Sequence, residues 1–180
     1  MLRVRVLQAL HLALLNDAGS FFDPDKMTRL LDPLVSQLTL EAPPPQVLLL
    51  LDQQCSGGSA KGGDFAFDLA GRAAVSCLVQ MAITSNSDTF WKPLNHRVLM
   101  LTRNASIRTR LLALEVVLSL VQRLREEYLV LLPETLPFLS ELLEDLEDEV
   151  SGKAQKFLNV GGDLTTGSDA EVTHEYLSID

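Results

Sequence analysis

Apolar residues recur at three- and four-residue steps along almost the whole chain, and this helical period constrains the fold more than any other feature of the sequence. Short polar stretches, many of them containing glycine or proline, separate the leucine-rich segments. No segment shows the sustained alternation of apolar and polar residues that is typical of a half-buried strand. The sequence therefore predicts an all-α fold.

Capping residues, prolines and glycines mark the ends of the predicted helices. Asp23 followed by Pro24 predicts a helix start, because an N-cap aspartate and a proline at the first helical position suit the exposed amides there. Asn104 is the predicted cap of the most amphipathic helix, and Asp64 and Asp88 are the predicted caps of two others. The predicted helices cover residues 2–16, 24–38, 46–55, 65–83, 89–102, 105–128, 132–145 and 150–158.

Prolines recur inside the first helix of several predicted pairs. Pro93 and Pro137 lie 44 residues apart, which matches the roughly 40–47 residues of a HEAT repeat. The sequence therefore predicts an α-solenoid of about four antiparallel helix pairs, in which each pair buries its apolar faces against its neighbours. We expect the solenoid to cover residues 1–158, with a flexible glycine-rich loop at 56–63 and a mobile acidic tail at 159–180.

Residue types that carry chemistry are sparse. The two cysteines, Cys55 and Cys77, form no CxxC pair, the three histidines are isolated, and no GxSxG string occurs. Lys61 lies in a glycine-rich stretch but precedes Gly62 instead of the serine or threonine of a phosphate-binding loop. The sequence predicts no catalytic residue, no cofactor and no metal site.

The N-terminal segment has two interpretations. Arg3 and Arg5 precede an apolar stretch at residues 6–15, as the charged residues of a signal peptide do. Gln8 and His11 interrupt that stretch, however, and an amphipathic helix explains the same residues. Aliphatic runs such as residues 47–51 are far shorter than the roughly 18 residues of a transmembrane helix.

Charge is distributed unevenly along the chain. Residues 1–128 carry a net charge of +1 and residues 129–180 a net charge of −10, while residues 89–125 carry +6. A basic block therefore adjoins an acidic one. The candidate contact residues of the basic block are Lys92, Arg97, Arg103, Arg108 and Arg110, and those of the acidic block are Glu141, Glu144, Asp145, Glu147, Asp148 and Glu149.

Each block has a functional and a structural interpretation. The cations either contact RNA phosphates along one ridge or bond to carboxylates and carbonyls of neighbouring helices. The acids form either a solvated face or a docking patch for a basic protein. Trp91 either packs between adjacent repeats or stacks on a base or a partner. Asn104 begins a glycosylation sequon, but a helix cap explains this residue better in the absence of a secretory signal.

Two ordered strings resemble a known family. Residues 91–95 read WKPLN, and residues 131–145 read LLPETLPFLSELLED. Both are similar to the C-terminal region of the U3 small nucleolar RNA-associated protein 10 family, the large HEAT-repeat component of the small-subunit processome, and weaker similarity covers most of residues 4–157. The family-motif residues with expected structural roles are Trp91, Pro93, Asn95, Pro133, Pro137 and Phe138.

The resemblance implies a non-catalytic scaffold of the nucleus and nucleolus. Such a scaffold binds other processome proteins around the U3 ribonucleoprotein, and supports pre-rRNA processing, small-subunit biogenesis and rRNA synthesis. Direct contact with U3 RNA or pre-rRNA is left open, and neither a membrane nor a small-molecule substrate is expected. An RNA-backbone-binding solenoid and a generic HEAT-repeat adaptor are the alternatives.

The sequence departs from the family in two respects. Family members are very long solenoids, so we expect this chain to be a fragment or a shortened product whose apolar end at residues 2–15 self-associates. The family continues after the acidic run with an uninterrupted helix, whereas Gly161, Gly162 and Gly167 are expected to end the helix here after Leu158.

Overall fold

The computed structural model describes residues 2–17, 21–41 and 68–165, and every regular element in these ranges is helical. The predicted all-α class is confirmed. The elements are α1 (Leu2–Leu15), α2 (Pro24–Gln37), α3 (Leu69–Ser85), α4 (Asp88–Leu101), α5 (Ile107–Leu124), a 3-10 helix (Arg125–Leu131), α6 (Leu132–Leu143) and α7 (Asp148–Thr165). None of the helices in the described ranges is long and apolar enough to span a membrane. The predicted helix at 46–55, the loop at 56–63 and the Asp64 cap lie outside the described residues.

The chain divides into two compact units, Met1–Ser85 and Asn86–Asp180. In the first unit α3 packs against both α1 and α2. The Cys77 thiol donates to the Leu7 carbonyl at 3.1 Å, and the Thr84 hydroxyl donates to the Leu14 carbonyl at 3.1 Å. The two bonds have the same sequence separation of 70 residues, so α1 and α3 run in the same direction.

Helix α2 runs antiparallel to α1. The guanidinium of Arg3, at the start of α1, donates to the carbonyls of Gln37 at 2.8 Å and Glu41 at 3.3 Å, at the end of α2. The predicted cap at the other end of α2 is confirmed, because the Asp23 carboxylate accepts from the Lys26 amide at 2.8 Å and Pro24 is the first helical residue. The apolar residues of this helix that are buried include Met27, Leu31, Leu34 and Val35.

In the second unit α4 packs against α5 and α6, and α7 packs against α5 and α6. Hydrogen bonds from α4 and the turn that follows it to α6 join residues 38 to 40 positions apart, so these two helices are parallel. The antiparallel pairs that begin with a proline-containing helix are α2 with α3, α4 with α5, and α6 with α7. The prolines lie inside the first helix of each: Pro33 in α2, Pro93 in α4 and Pro137 in α6. Helices that pack against each other in this order are consistent with a HEAT-like α-solenoid.

Four predicted helix starts and ends were wrong. Ser106, not Asn104, is the N-cap of α5, because the Asn104 side chain instead accepts from the Ser106 amide at 2.9 Å in a local turn. That helix ends at Leu124 and not at Tyr128, since the next residue, Arg125, adopts a φ of 51° that an α-helix does not allow. Helix α3 begins after Asp68, whose carboxylate accepts from the Gly71 amide at 2.8 Å. Ser87 is the N-cap of α4, and Asp88 lies in its first turn.

Helix α7 continues past its predicted end at Leu158 to Thr165. Gly161 and Gly162 therefore do not break it. Each glycine lowers helix stability by about 1 kcal/mol, and the packing of the buried residues Val150, Ala154 and Phe157 compensates for this cost. The remainder of the predicted tail, residues 166–180, lies outside the described residues.

Alkaline pH is expected to destabilise the first unit through Cys77. Its side chain is fully buried, and burial raises the pKa of the thiol from 9.0 to about 11. The unfolded chain therefore loses this proton first as the pH rises, so the stabilisation is complete below about pH 9 and is lost as the pH approaches 11.

Urea unfolding between pH 8 and pH 11 measures this effect, in a Cys55→Ser background so that Cys77 is the remaining thiol. The Cys77→Ser variant should show a flatter fall of the free energy of unfolding across this range. If the free energy of unfolding falls equally steeply with pH in both proteins, the raised pKa of Cys77 does not contribute to stability, and the prediction is contradicted.

Candidate functional site

Asn95, from the WKPLN string, is the centre of a buried polar network between α4 and α6. Its amide nitrogen donates to Glu134 Oε2 at 3.0 Å and to Thr135 Oγ1 at 3.2 Å, and its amide oxygen accepts from the Tyr128 hydroxyl at 3.0 Å. The Asn95 side chain is fully buried. A buried amide without partners costs about 1–3 kcal/mol, so these bonds explain how an asparagine is tolerated on an apolar helix face.

Tyr128 extends the network to the last helix. Its hydroxyl also lies 3.0 Å from Thr135 Oγ1, which itself donates to the Leu131 carbonyl at 2.9 Å. Its ring packs edge-on against Phe157 of α7, with 6.1 Å between the ring centroids. Burial raises the pKa of Tyr128 far above its ordinary value, so the phenol stays protonated and can donate.

Glu134 connects the network to the surface. One of its carboxylate oxygens accepts from Asn95, and the other lies 2.7 Å from Nδ1 of His96. The His96 side chain is largely exposed, and the Glu134 side chain is 36% exposed. Two adjacent residues of α4 therefore bind both oxygens of one carboxylate on α6.

Arg103 forms a bidentate ion pair with Glu141, from the acidic block. Its Nε donates to Oε2 at 2.8 Å and its Nη2 donates to Oε1 at 2.5 Å. The guanidinium also lies over the ring of Phe138, 4.4 Å from the centroid. Hydrogen bonding to Arg103 lowers the pKa of Glu141, and the same bonds raise the pKa of Arg103.

Arg110 forms a second ion pair, with Asp145, and this pair is nearly buried. Its Nη2 donates to Oδ1 at 2.9 Å, its Nε lies 2.9 Å from Oδ2, and the two side chains are 14% and 12% exposed. The guanidinium also donates to the carbonyls of Asn104 at 3.0 Å and Ala105 at 3.2 Å. Asp145 in turn accepts from the Glu147 amide at 3.0 Å. This ion pair therefore fixes the α4–α5 turn to the α6–α7 turn.

The three other candidate cations have different surroundings. Lys92 lies 3.3 Å from Asp88, one turn earlier on the exposed face of α4. Arg97 and Arg108 are half-buried, and each has a partner within the chain. The structure thus brings two of the five candidate cations together with two of the six candidate acids.

The other four candidate acids are exposed. They are Glu144, Glu147, Asp148 and Glu149, in the α6–α7 turn and the first turn of α7. Leu146 lies among them and is 98% exposed. This group of four acids and one leucine, which we call the acidic turn, is the part of the acidic block that is accessible to a partner.

The remaining motif residues divide into buried and exposed positions. Trp91 is 6% exposed and belongs to the core of the second unit. Pro93, Pro133 and Pro137 are exposed on their helices, and Phe138 is half-buried beneath Arg103. In the parts of the chain that the structure describes, no group of three or more histidine, cysteine, aspartate or glutamate side chains is placed to hold a metal ion.

Two features of the site were missed by sequence reasoning. Tyr128 was predicted only as part of an apolar stripe, although its hydroxyl joins the network. An ion pair between Lys153 of α7 and Glu115 of α5 was not predicted either. Lys153 and Glu115 lie 38 residues apart, close to one repeat length, so pairing charged residues at that separation would have suggested their ion pair. Tyr128 and Asn95 lie 33 residues apart, and no signal in the sequence indicated their hydrogen bond.

Removing the Tyr128 hydroxyl is expected to destabilise the fold. Tyr128→Phe leaves the buried amide oxygen of Asn95 without its donor, at an expected cost of about 1–3 kcal/mol in the free energy of unfolding. Thr135→Val should cost a similar amount, and the double variant should cost less than the sum because the two hydroxyls belong to one network.

Chemical denaturation of the three variants measures this coupling. Thr89→Val, at an exposed position of α4, is the matched control and should change stability by less than about 0.5 kcal/mol. Additive losses would show that Tyr128 and Thr135 act independently.

The two ion pairs are expected to differ in their effect on stability. Arg110→Met leaves a nearly buried carboxylate without its partner and should cost about 3–5 kcal/mol. Arg103→Met breaks a half-exposed pair that solvent screens, so its effect should be much smaller. Thermal unfolding compares the two variants directly, and equal shifts in Tm would contradict this ranking.

No protein-family model matches the chain. The chain is 44% identical to an uncharacterized protein of Arabidopsis thaliana over 172 aligned residues. The aligned residues make up 94% of this chain and 7% of that protein. It is 34% identical to HEAT repeat-containing protein 1 of Homo sapiens over 152 aligned residues, and these make up 84% of this chain and 6% of that protein. It is 30% identical to U3 small nucleolar RNA-associated protein 10 of Schizosaccharomyces pombe over 107 aligned residues, and these make up 59% of this chain and 6% of that protein.

These relatives are much longer than the chain, which spans less than a tenth of the length of each. Relatives named HEAT repeat-containing protein 1 match over most of the chain, and weaker matches carry the name U3 small nucleolar RNA-associated protein 10. The resemblance indicated by the two motif strings is thereby confirmed. The chain belongs to the family of HEAT repeat-containing protein 1 and U3 small nucleolar RNA-associated protein 10, and it corresponds to a C-terminal region of these long proteins.

Proposed function

We propose that the chain is a non-catalytic scaffold segment of the small-subunit processome in the nucleolus. In this role it binds other processome proteins and supports pre-rRNA processing, small-subunit biogenesis and rRNA synthesis. The observation that carries the proposal is the match to HEAT repeat-containing protein 1 over 84% of the chain. The name of the fungal relatives, U3 small nucleolar RNA-associated protein 10, supplies the link to U3.

The acidic turn is the proposed docking surface for a basic processome protein. Its four carboxylates are exposed, and Leu146 adds an apolar contact at their centre. The ion pair between Arg110 and Asp145 fixes the backbone between Glu144 and Leu146, so a partner would bind a surface that is already ordered. Complementary charge favours fast and selective encounter with a basic partner.

Binding of the RNA backbone is the second candidate function. It would use Lys92, Arg97 and Arg108 together with Arg103 and Arg110. The ion pairs of Arg103 and Arg110 favour the scaffold over this alternative, because a phosphate would have to displace Glu141 and Asp145. RNA binding through these cations should be strongly salt-dependent.

A pull-down from nuclear extract separates the two functions. The tagged full chain is used before and after nuclease treatment, with mass spectrometry of proteins and sequencing of RNA. Recovery of processome proteins that survives nuclease is the result expected of a scaffold. Loss of all partners on nuclease treatment would favour RNA binding, and recovery of neither would contradict both functions.

A charge-reversed variant tests the acidic turn. Glu147→Lys with Glu149→Lys should reduce recovery of the proteins that survive nuclease by at least tenfold. Glu126→Lys with Glu127→Lys makes the same charge change at exposed positions of the 3-10 helix and is the matched control. Equal recovery by both variants would place the docking surface elsewhere.

A further inference from the structure

The end of α5 carries two exposed arginines that have no acidic partner in the residues that the structure describes. Arg123 lies in the last turn of α5, and Arg125 is the residue that follows the helix. Their neighbours Glu126 and Glu127 are exposed as well, but within the described ranges neither forms an ion pair with them. Both guanidinium groups are therefore available to a further acid.

Arg125 has a backbone conformation that favours glycine. Its φ is 51°, in a region that side chains larger than those of asparagine and aspartate rarely adopt. A glycine at this position would remove the strain and still end the helix. Strained positions that persist are concentrated where a side chain is used. The arginine therefore indicates that its guanidinium group makes a contact.

Helix α7 runs in the same direction as α5. Lys153 of α7 pairs with Glu115, in the middle of α5. Four residues further along α7, Phe157 packs against Tyr128, which lies beyond the end of α5. The contacts of α7 thus move towards the end of α5 as its own residue numbers increase.

This direction places the end of α7 beside the two arginines. Thr165, the last residue of α7, is twelve residues beyond Lys153, and Arg123 and Arg125 are eight and ten residues beyond Glu115. At about 1.5 Å per residue, the three positions are level to within about one helical turn. The chain that follows α7 therefore starts near both guanidinium groups.

The residues that follow α7 are acidic. Residues 166–180, which we call the C-terminal segment, contain Asp169, Glu171, Glu175 and Asp180 and neither lysine nor arginine. Asp169 is four residues beyond the end of α7, a distance that an extended chain covers with up to about 13 Å.

The attachment to α7 favours this segment over a separate acidic protein. A short flexible tether gives an effective concentration in the millimolar range, so weak ion pairs are enough for occupancy. Residues 42–67, the other long stretch outside the described ranges, belong to the first unit and contain one lysine and two aspartates. Charge therefore favours the C-terminal segment over that stretch as well.

We propose that the C-terminal segment folds back along the end of α5 and pairs its carboxylates with Arg123 and Arg125. The contact occupies both guanidinium groups within the chain, so an acidic partner reaches them only by displacing the segment. The proposal goes beyond the scaffold role and does not depend on it. It rests on the two arginines, on the direction of α7 and on the charge of the segment.

Paramagnetic relaxation enhancement measures this contact in the full chain. A nitroxide is attached to Thr173→Cys in a Cys55→Ser background, in which the remaining thiol, Cys77, is fully buried. The backbone amide signals of Arg123 and Arg125 should lose intensity relative to the same chain with the nitroxide reduced. Salt at about 1 M, which shortens the screening length to about 3 Å, should restore much of that intensity.

Charge variants distinguish pairing from the mere proximity of the segment. Neutralising the segment should restore the intensity; the substitutions are Asp169→Asn, Glu171→Gln and Glu175→Gln. The matched control neutralises three exposed acids of the acidic turn, at the other end of α7, and should leave the loss of intensity unchanged; the substitutions are Glu144→Gln, Glu147→Gln and Glu149→Gln. Arg125→Gly should reduce the loss at Arg123 without lowering the midpoint of thermal unfolding, since glycine suits a φ of 51°.

Unchanged amide intensities at Arg123 and Arg125 in a folded, spin-labelled full chain would overturn the proposal. An equal loss with the native and the neutralised segment would do the same, because the segment would then only sample the space near the end of α7. Mixing the spin-labelled chain with an isotope-labelled chain that lacks the nitroxide gives the third test. A loss of intensity in that mixture would show that the segment of a second copy binds the arginines, which contradicts a contact within one chain.

Discussion

Each helix of this chain carries an apolar stripe that it can bury only against a neighbouring helix, and the rest of the structure depends on that constraint. A single helix of 12 to 18 residues is marginal in water. Packing against neighbouring helices supplies the stability that a single helix lacks: α7 contacts both α5 and α6, and α3 contacts both α1 and α2. Prolines inside α2, α4 and α6 are tolerated because packing, and not the uninterrupted backbone ladder alone, stabilises those helices.

Polar contacts specify how the helices of the second unit are aligned. The Asn95 network joins α4 to α6, the Arg103–Glu141 pair joins the turn after α4 to α6, and the Arg110–Asp145 pair joins the start of α5 to the turn after α6. Apolar packing tolerates small slips between helices, whereas a displaced hydrogen bond leaves a buried group without a partner. The same contacts use two carboxylates of the acidic block internally, which leaves the acidic turn as its exposed part.

Sequence reasoning predicted the fold class, the helix pairs and the Asp23 cap because these depend on local periodicity and on turn chemistry. It predicted Asn104 as the cap of α5, and the structure shows Ser106 instead, because both are good capping residues and only the local geometry decides between them. It also predicted too early an end for α7, because the cost of Gly161 and Gly162 is offset by long-range packing that the local sequence does not reveal. The partners of Arg103 and Arg110 were left open for a similar reason: charge composition does not show which side chains meet.

The two units also differ in the sequence separation of the hydrogen bonds that join their parallel helices. The separation is 70 residues between α1 and α3, and 38 to 40 residues between α4 and α6. Loop closure costs about 0.6 kcal/mol for each doubling of loop length, so the longer separation is inexpensive at equilibrium. Its effect on folding speed is larger, because contacts between distant residues form late. The shorter separation therefore favours earlier formation of the α4–α6 contacts, which lie in the unit that carries the two motif strings.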